Sequence, residues 1–407
     1  MKMKNIYALL AIGIAAMNLR PLMTSVAPLL GKIQEELGMS GATASLLTTI
    51  PVLCMGLFAP LAAKIGDRLG IERTIWASLL LIAAMTGLRG LGSSVWLLIL
   101  TAIVGGIGIS LAGPLLSAFI KKMFPQRPAV ISIYSASMTV GAALASSLSV
   151  PVYEQSGDHL NVALAGWAVL GVVAAVFWSG FAKRGGSSAS GVRARSVLPL
   201  RNRKAFQLTL FFGLMSGMFY SITAWIAPMA VDFGYTPDQA ATFLTLFTLI
   251  QIPVSLTAPS LVAKLGNPRA VLIACALFEL AGIGMLLLGL PMLPAVIALG
   301  LGAGGLFPLA LMLPIAEANT PEEAGGWSAM TQGGGYMIGA MGPLTIGALH
   351  DASGHFNGAL TVMLLAIIAM IALQWKMTQR HNPAGEKETR STTGVEKARE
   401  TQIRSRN

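Results

Sequence analysis

The chain has 407 residues, 54% of them hydrophobic and only 11% charged, with a mean hydropathy of +0.70 and a formal net charge of +11. Repeated apolar runs of 18 or more residues exclude a soluble α/β or all-β domain and indicate an all-α polytopic membrane protein. The positive charge is not a nucleic-acid surface: Arg20 is intramembrane, Lys32 and Arg89 fall near one face, and the other 25 of the 28 Lys and Arg lie toward the opposite face.

That asymmetry places both termini in the cytoplasm by the positive-inside rule. Twelve spans are expected, at 6–30, 42–65, 74–92, 95–119, 129–153, 161–182, 205–231, 239–263, 270–289, 292–316, 325–349 and 357–377. The Met-Lys-Met-Lys start lacks a small-residue cleavage pattern, so the first span is expected to be retained.

Arg20 stands out in span one. It lies fourteen residues after Ile6, roughly 21 Å along a helix. An arginine at that depth costs ~2.5–3.5 kcal/mol on insertion scales, so it should face protein or a wet cavity. Pro21 follows it, removing a backbone donor and loosening the helix. Arg20 is therefore either an anion anchor or a strut satisfied by carbonyls that Pro21 frees. No acid lies at mid-depth in the first six spans, which favours a visiting anion. Asn18 points elsewhere on the helix and is expected to bond a neighbouring helix.

Residues 183–204 carry seven basic residues around Gly185-Gly186-Ser187-Ser188 and read as a cytoplasmic linker. It separates a six-helix bundle at 1–182 from another at 205–377, and a disordered tail occupies 378–407. The halves repeat. Ala27-Pro28 recurs as Ala227-Pro228, and Ile50-Pro51-Val52 as Ile252-Pro253-Val254. Ala59-Pro60 recurs as Ala258-Pro259, and Ala63-Lys64-Ile65-Gly66-Asp67 as Ala263-Lys264-Leu265-Gly266-Asn267. The offset stays within two residues of 200, which indicates a parallel six-plus-six duplication with two pseudo-symmetric bundles. Transporters built this way hold substrate near the midplane between the halves. Adding 200 to Arg20 gives Tyr220, so these two are expected to face one cavity, with Trp225, Gln332 and Tyr336 as further polar-tipped residues beside it.

Glu279 is the only carboxylate clearly mid-span. It reads either as a proton carrier or as a structural hydrogen bond within its own half, the latter favoured by a peripheral ninth helix. Arg89 is expected at the membrane interface. The runs Gly105-Gly106-Ile107-Gly108 and Gly302-Ala303-Gly304-Gly305 lie inside apolar spans, so they read as close helix packing and not as nucleotide loops. Gly333-Gly334-Gly335 is expected to soften span eleven. His350, Asp351 and His355 are expected in a solvated outer turn with no metal, and Cys54 and Cys275 as apolar fillers.

The loop Gly66-Asp67-Arg68-Leu69-Gly70-Ile71-Glu72-Arg73 resembles the cytoplasmic loop signature of the major facilitator superfamily, with Asp67, Arg68, Gly70 and Arg73 matching. Ala63 replaces a glycine, Ile71-Glu72 departs from a basic pair, and the second copy, Gly266-Asn267-Pro268-Arg269, lacks the acid. The resemblance implies that Asp67 latches an outward-open state. Asn18 to Leu22 with Thr24 to Leu30 is similar to the first helix of the cyanate/nitroimidazole permease (CynX/NimT) family. Gly300 to Leu309 resembles that family's tenth helix. Met330-Thr331-Gln332, Gly335-Tyr336 and Gly342-Pro343 resemble its eleventh, and Trp225 with Pro228 its seventh. This resemblance implies a monomeric secondary transporter of the bacterial inner membrane, without cofactor, that moves a small solute such as cyanate.

Importing one negative charge against an inside-negative potential costs ~2.3 kcal/mol per 100 mV, so accumulation needs a co-transported proton or an exchange partner. The rival expectation is an efflux antiporter for nitroimidazole-like drugs. Against it, Val140 to Ser146 lacks the Gly-Pro pattern of superfamily antiporters. No nucleophile–base pair lies within the spans, which argues against an enzyme.

Overall fold

A computed structural model describes residues 3–39, 41–92, 94–125, 127–184 and 197–378. The glycine-serine part of the linker and the tail beyond 378 lie outside the described residues. Twelve long helices form the body: α1 (Met3–Met17), α2 (Gly41–Leu69), α3 (Ile71–Leu88), α4 (Val95–Met123), α5 (Pro128–Gln155), α6 (Ala168–Arg184), α7 (Arg203–Asp232), α8 (Pro237–Leu265), α9 (Pro268–Leu287), α10 (Met292–Glu317), α11 (Pro321–Ser353) and α12 (Asn357–Thr378). Their starts are fixed by local chemistry. Ser94 accepts from the Leu97 amide, Asn267 from Ala270 and Thr320 from Glu323, while Thr236 and Gln239 form a reciprocal capping box. Prolines inside α2, α4, α5, α7, α8, α10 and α11 are tolerated because neighbouring helices shelter the backbone.

Eleven segments among the described residues are long and apolar enough to cross a membrane; α11 is the exception. Its sequence is rich in glycine and hydroxyl residues, and it packs against α7, α2 and α4. The face left uncovered carries the exposed apolar residues Met337, Ile338, Met341 and Leu344. The twelve-helix expectation therefore holds, with α11 running past its expected limits. His350 and Asp351 belong to its last turn, not to a loop, and the His350 ring stacks on Phe356 at 4.2 Å.

The contact pattern repeats with a shift of six helices. α1 packs on α5 and α7 on α11; α2 packs on α4 and α8 on α10; α3 packs on α6 and α9 on α12. The glycine runs permit the close pairs. A side chain on Gly106 of α4 would meet Pro51 and Cys54 of α2, and one on Gly304 of α10 would meet Gln251 and Val254 of α8. A Cβ on Gly302 would lie 2.5 Å from Glu279 Cγ. Between the bundles, α2 and α4 pack on α11, and α5 packs on α8 and α10.

The first span is broken, not merely loosened. α1 ends at Met17, a short helix restarts at Pro21–Thr24, and Ala27–Leu29 and Leu30–Leu37 continue the path. A proline clashes with the carbonyl four residues before it, here Met17, and cannot donate to it. Gly141 of α5 comes so close to this break that an added Cβ would lie 2.1 Å from Met17 O. Asn18 is buried with its Oδ1 beside Gly171 of α6, and its Nδ2 has no hydrogen-bond partner among the described residues.

Arg89 is turned into the protein and not out toward water or lipid. It is 1% exposed, its Nη1 donates to Leu22 O at 2.8 Å, and its Nε donates to Thr101 Oγ1 at 3.1 Å. The broken first span leaves the Leu22 carbonyl outside the regular ladder, since the Val26 amide turns to Met23 O. Arg89 supplies the missing donor.

Candidate functional site

Arg20 is the N-cap residue of the restarted helix, and its carbonyl accepts from the Met23 and Thr24 amides and from Thr24 Oγ1. This turn holds the residue's backbone, and its side chain is buried with 5% exposure. Nη1 donates to the Tyr220 hydroxyl at 3.2 Å, linking the two halves. The guanidinium carbon lies 5.7 Å from the Phe219 ring centroid and 5.3 Å from that of Phe307. Cation–π contact of this kind offsets part of the cost of a buried charge. No carboxylate among the described residues forms an ion pair with Arg20.

Around this centre the second half contributes an aromatic wall. Phe219 meets Tyr220 edge-on at 5.3 Å, Tyr220 lies 6.3 Å from Tyr336, and Tyr336 meets Phe212 edge-on at 5.0 Å. Tyr134 of α5 donates to Gly113 O of α4 at 3.4 Å, and both Tyr134 and Tyr336 lie near enough to interact electrostatically with Arg20. Gly113 leaves room for Gln332 of α11, whose Oε1 would lie 2.9 Å from an added Cβ. The Gln332 Nε2 is buried with no partner among the described residues.

The structure thus brings together Arg20, Tyr220 and Tyr336, with Gln332 close by across Gly113. Trp225 is not part of this cluster: its Nε1 donates to Pro343 O at 3.0 Å, and its ring packs near His350 and Phe356. Tyr134, Phe219 and Phe307 escaped the sequence reading. Phe219 had a signal, because it precedes Tyr220. Phe307 and Tyr134 lie on helices whose rotational setting no spacing rule gives.

The loop residues occupy the basic end of the bundle. Asp67 lines a narrow cleft with Ala63, Gly66 and Ile71 from its own half and with Pro321, Glu322 and Gly325 from the start of α11. A carboxylate there faces the positive end of the α11 dipole. Gly70 takes φ +91°, a conformation that a side chain would strain, and so turns α2 into α3. Arg73 Nε reaches Ala182 O at 3.5 Å. Glu72, the departure from the motif, is bonded to Lys122 at 2.6 Å and ties α3 to α4. Lys121 Nζ donates to Ile315 O at 3.2 Å, crossing from α4 to the last turn of α10 and linking the two halves at this end.

Glu279 is 1% exposed, and neither carboxylate oxygen has a hydrogen-bond partner among the described residues. The expected structural hydrogen bond is not made. The residue packs against Gly302 of α10, away from the Arg20 cluster.

Comparison with known proteins gives this geometry a context. The family model of the Major Facilitator Superfamily matches residues 8–340 and 208–406. The chain is 32% identical over 373 residues to the uncharacterized transporter YycB of Bacillus subtilis (strain 168), covering 91% of this chain and 92% of that one. It is 33% identical over 352 residues to the cyanate transport protein CynX of Escherichia coli (strain K12), covering 86% and 91%. Identity to the 2-nitroimidazole transporter of the same organism is 32% over 373 residues, covering 90% and 94%. Among solved structures, the human organic anion transporter MFSD10 (TETRAN) superposes with a TM-score of 0.73 at 14% identity, covering 90% of this chain and 99% of that one. The fucose transporter FucP superposes with a TM-score of 0.68 at 14% identity, covering 91% and 98%.

Proposed function

The chain belongs to the major facilitator superfamily, and from that premise we propose that it moves a small anion by alternating access, with the anion held at Arg20. The observation that carries this reading is a buried arginine at the seam of the two halves that has a hydroxyl and two rings for company but, among the described residues, no carboxylate paired with it. A guanidinium keeps its charge and presents five donors in a fixed fork, of which the Tyr220 bond engages one. An incoming anion supplies the missing counter-charge. Gln332 Nε2 is a second, neutral donor within the same cluster.

The relatives that carry cyanate and 2-nitroimidazole support a small cargo of this kind. The aromatic wall of Phe212, Phe219, Tyr220, Phe307 and Tyr336 favours a second reading, export of a flat ring such as a nitroimidazole. Both cargoes engage Arg20 in this scheme; they differ in direction. Glu279 is the carboxylate assigned to carry a coupled proton, and Asp67, Arg68, Gly70 and Arg73 form the gate at the basic end. That end faces the cytoplasm of a bacterial cell by the positive-inside rule, with both termini inside. The protein works as a monomer in the lipid bilayer of the inner membrane, with bundles at 1–182 and 205–377 joined by the segment 183–204 and followed by the tail 378–407. The bond from Lys121 to Ile315 O supports a state closed toward the cytoplasm.

The test is uptake and efflux of cyanate, other small anions and 2-nitroimidazole in right-side-out and everted vesicles, comparing wild type with Arg20→Lys and Arg20→Ala. Saturable anion movement that Arg20→Ala abolishes and Arg20→Lys partly keeps is the expected result. Unchanged anion affinity in Arg20→Ala overturns the site.

A further inference from the structure

Arg89 is, with Arg20, one of two buried arginines of the first bundle among the described residues. It lies at the end of α3, is 1% exposed, and forms no ion pair among the described residues. Its partners are neutral: Leu22 O at 2.8 Å and Thr101 Oγ1 at 3.1 Å, while Nη2 is buried without a partner. Thr101 is itself fixed, since its hydroxyl donates to Leu98 O at 2.9 Å. An interfacial arginine would reach for water or lipid headgroups; this one is turned inward onto the first span.

The carbonyl it holds is two residues past Arg20. The restart of the first span is therefore pinned twice. Arg20 O is held within the turn by the Met23 and Thr24 amides and the Thr24 hydroxyl, whereas Leu22 O is held from outside by α3. The Leu22 side chain is also seated against Gly105 of α4, where an added Cβ would lie 2.5 Å from its Cδ2. Without Arg89 the Leu22 carbonyl is an unpaired acceptor in a place water does not reach, and the short helix Pro21–Thr24 would rotate to satisfy it. Rotation of that turn swings the Arg20 side chain off Tyr220.

We propose that Arg89 is a positioning residue for the anion site: by bonding the Leu22 carbonyl it fixes the restart of the broken first span, and with it the direction in which Arg20 is presented. This role rests on the reading of Arg20 as the anion anchor. Arg89 does not touch the cargo. It supplies a donor that a neutral side chain of the same reach would supply less firmly, since bonds from charged donors are shorter and stronger.

The experiment uses the full chain in vesicles and in nanodiscs, with Arg89→Lys, Arg89→Met and Thr101→Val compared with wild type and Arg20→Ala. For the anion that wild type transports, Arg89→Met is expected to raise KM about tenfold with the maximal rate per folded protein largely kept, because only presentation of the site is lost. Arg89→Lys keeps one charged donor for Leu22 O and is expected to stay within about threefold of wild type. Thr101→Val, the milder change, frees Arg89 Nε and is expected to fall between them. A general packing defect would lower the maximal rate in all three without this order.

Hydrogen exchange of the segment 18–29 supplies a readout that needs no cargo. Arg89→Met is expected to speed exchange there about tenfold while α7 to α12 are unchanged. Unchanged KM together with unchanged exchange in Arg89→Met overturns the assignment. The anion reading fails separately: if Arg20→Ala handles anions as wild type does, the anchor falls, whatever the exchange shows for Arg89.

Discussion

Arg20 Nη1 and the Tyr220 hydroxyl meet at 3.2 Å, and the 200 residues between them match, to within two residues, the offset of the repeated words of the two halves. Duplicated halves facing each other across a common axis put equivalent positions in register. The pair is a contact between the two halves. Tyr220→Phe keeps the ring against Phe219 and Tyr336 and removes only the oxygen. Losing one bond to a charged group costs about 1.5 kcal/mol, about tenfold. Anion KM is expected to rise by that factor with Arg20 unchanged, as initial-rate uptake will show. An unaltered KM removes Tyr220 from the site.

The legible part of this molecule was its periodicity. Apolar run length gave the spans, basic residues gave the asymmetry of the two ends, and the repeat placed Tyr220 opposite Arg20. What sequence could not give was rotation about each helix axis. Trp225 was expected beside the cavity, but five residues past Tyr220 its indole already turns to Pro343 O. Phe307 sits in a wholly apolar run, where nothing distinguishes a cavity-facing ring from a core one. The position of Arg89 along α3 reads as interfacial, and that position says nothing of its inward reach. That reach depends on the Leu22 carbonyl, left free where the Val26 amide turns to Met23 O, a detail of the break that no sequence spacing gives.

Gly141 is a sharper test of the break than Pro21. A Cβ there would lie 2.1 Å from Met17 O and 2.8 Å from Met17 C, both backbone atoms that cannot swing aside. Gly141→Ala must therefore push α5 away from α1. Overpacking of this kind costs about 1–3 kcal/mol or more. Gly284 of α9 is the control, since nothing lies within 4 Å of its added Cβ. Gly284→Ala is expected to be neutral or to stabilise by about 0.5–1 kcal/mol. Thermal unfolding of the two purified variants separates them, and equal melting of both contradicts the close approach.

Lys121 makes a measurable link between the two halves at the basic end. Its Nζ donates to Ile315 O, one of the last carbonyls of α10, where the negative end of the helix dipole also favours a cation. Lys121→Met removes the bond and keeps the length of the side chain. For a partly exposed contact the loss is about 1 kcal/mol, a shift of about fivefold in the equilibrium between closed and open ends. Spin labels on Met123→Cys and Ala318→Cys, with Cys54 and Cys275 replaced by alanine, should show the longer distance more populated in the Lys121→Met protein. An unchanged distance distribution removes Lys121 from the gate.

Glu279 poses a question of energy before one of mechanism. Its two oxygens have no hydrogen-bond partner among the described residues, and the nearest surfaces are Gly302 of α10 and Cys275 of its own helix. A carboxylate kept in such a place without a structural bond is hard to explain as a strut, because an apolar residue of similar volume would pack there at less cost. Glu279→Gln retains the shape, so the variant is expected to match wild-type stability within about 0.5 kcal/mol. Transport divides the possibilities. If Glu279 carries the coupled proton, an inward proton gradient accelerates uptake by wild type and leaves Glu279→Gln at its rate without a gradient, while counterflow of unlabelled against labelled anion continues in both. Counterflow is the necessary control, because it needs the Arg20 site and the rocking of the halves but no net proton movement. Gradient-driven accumulation that survives intact in Glu279→Gln separates this carboxylate from coupling and leaves exchange against a second anion as the source of the driving force.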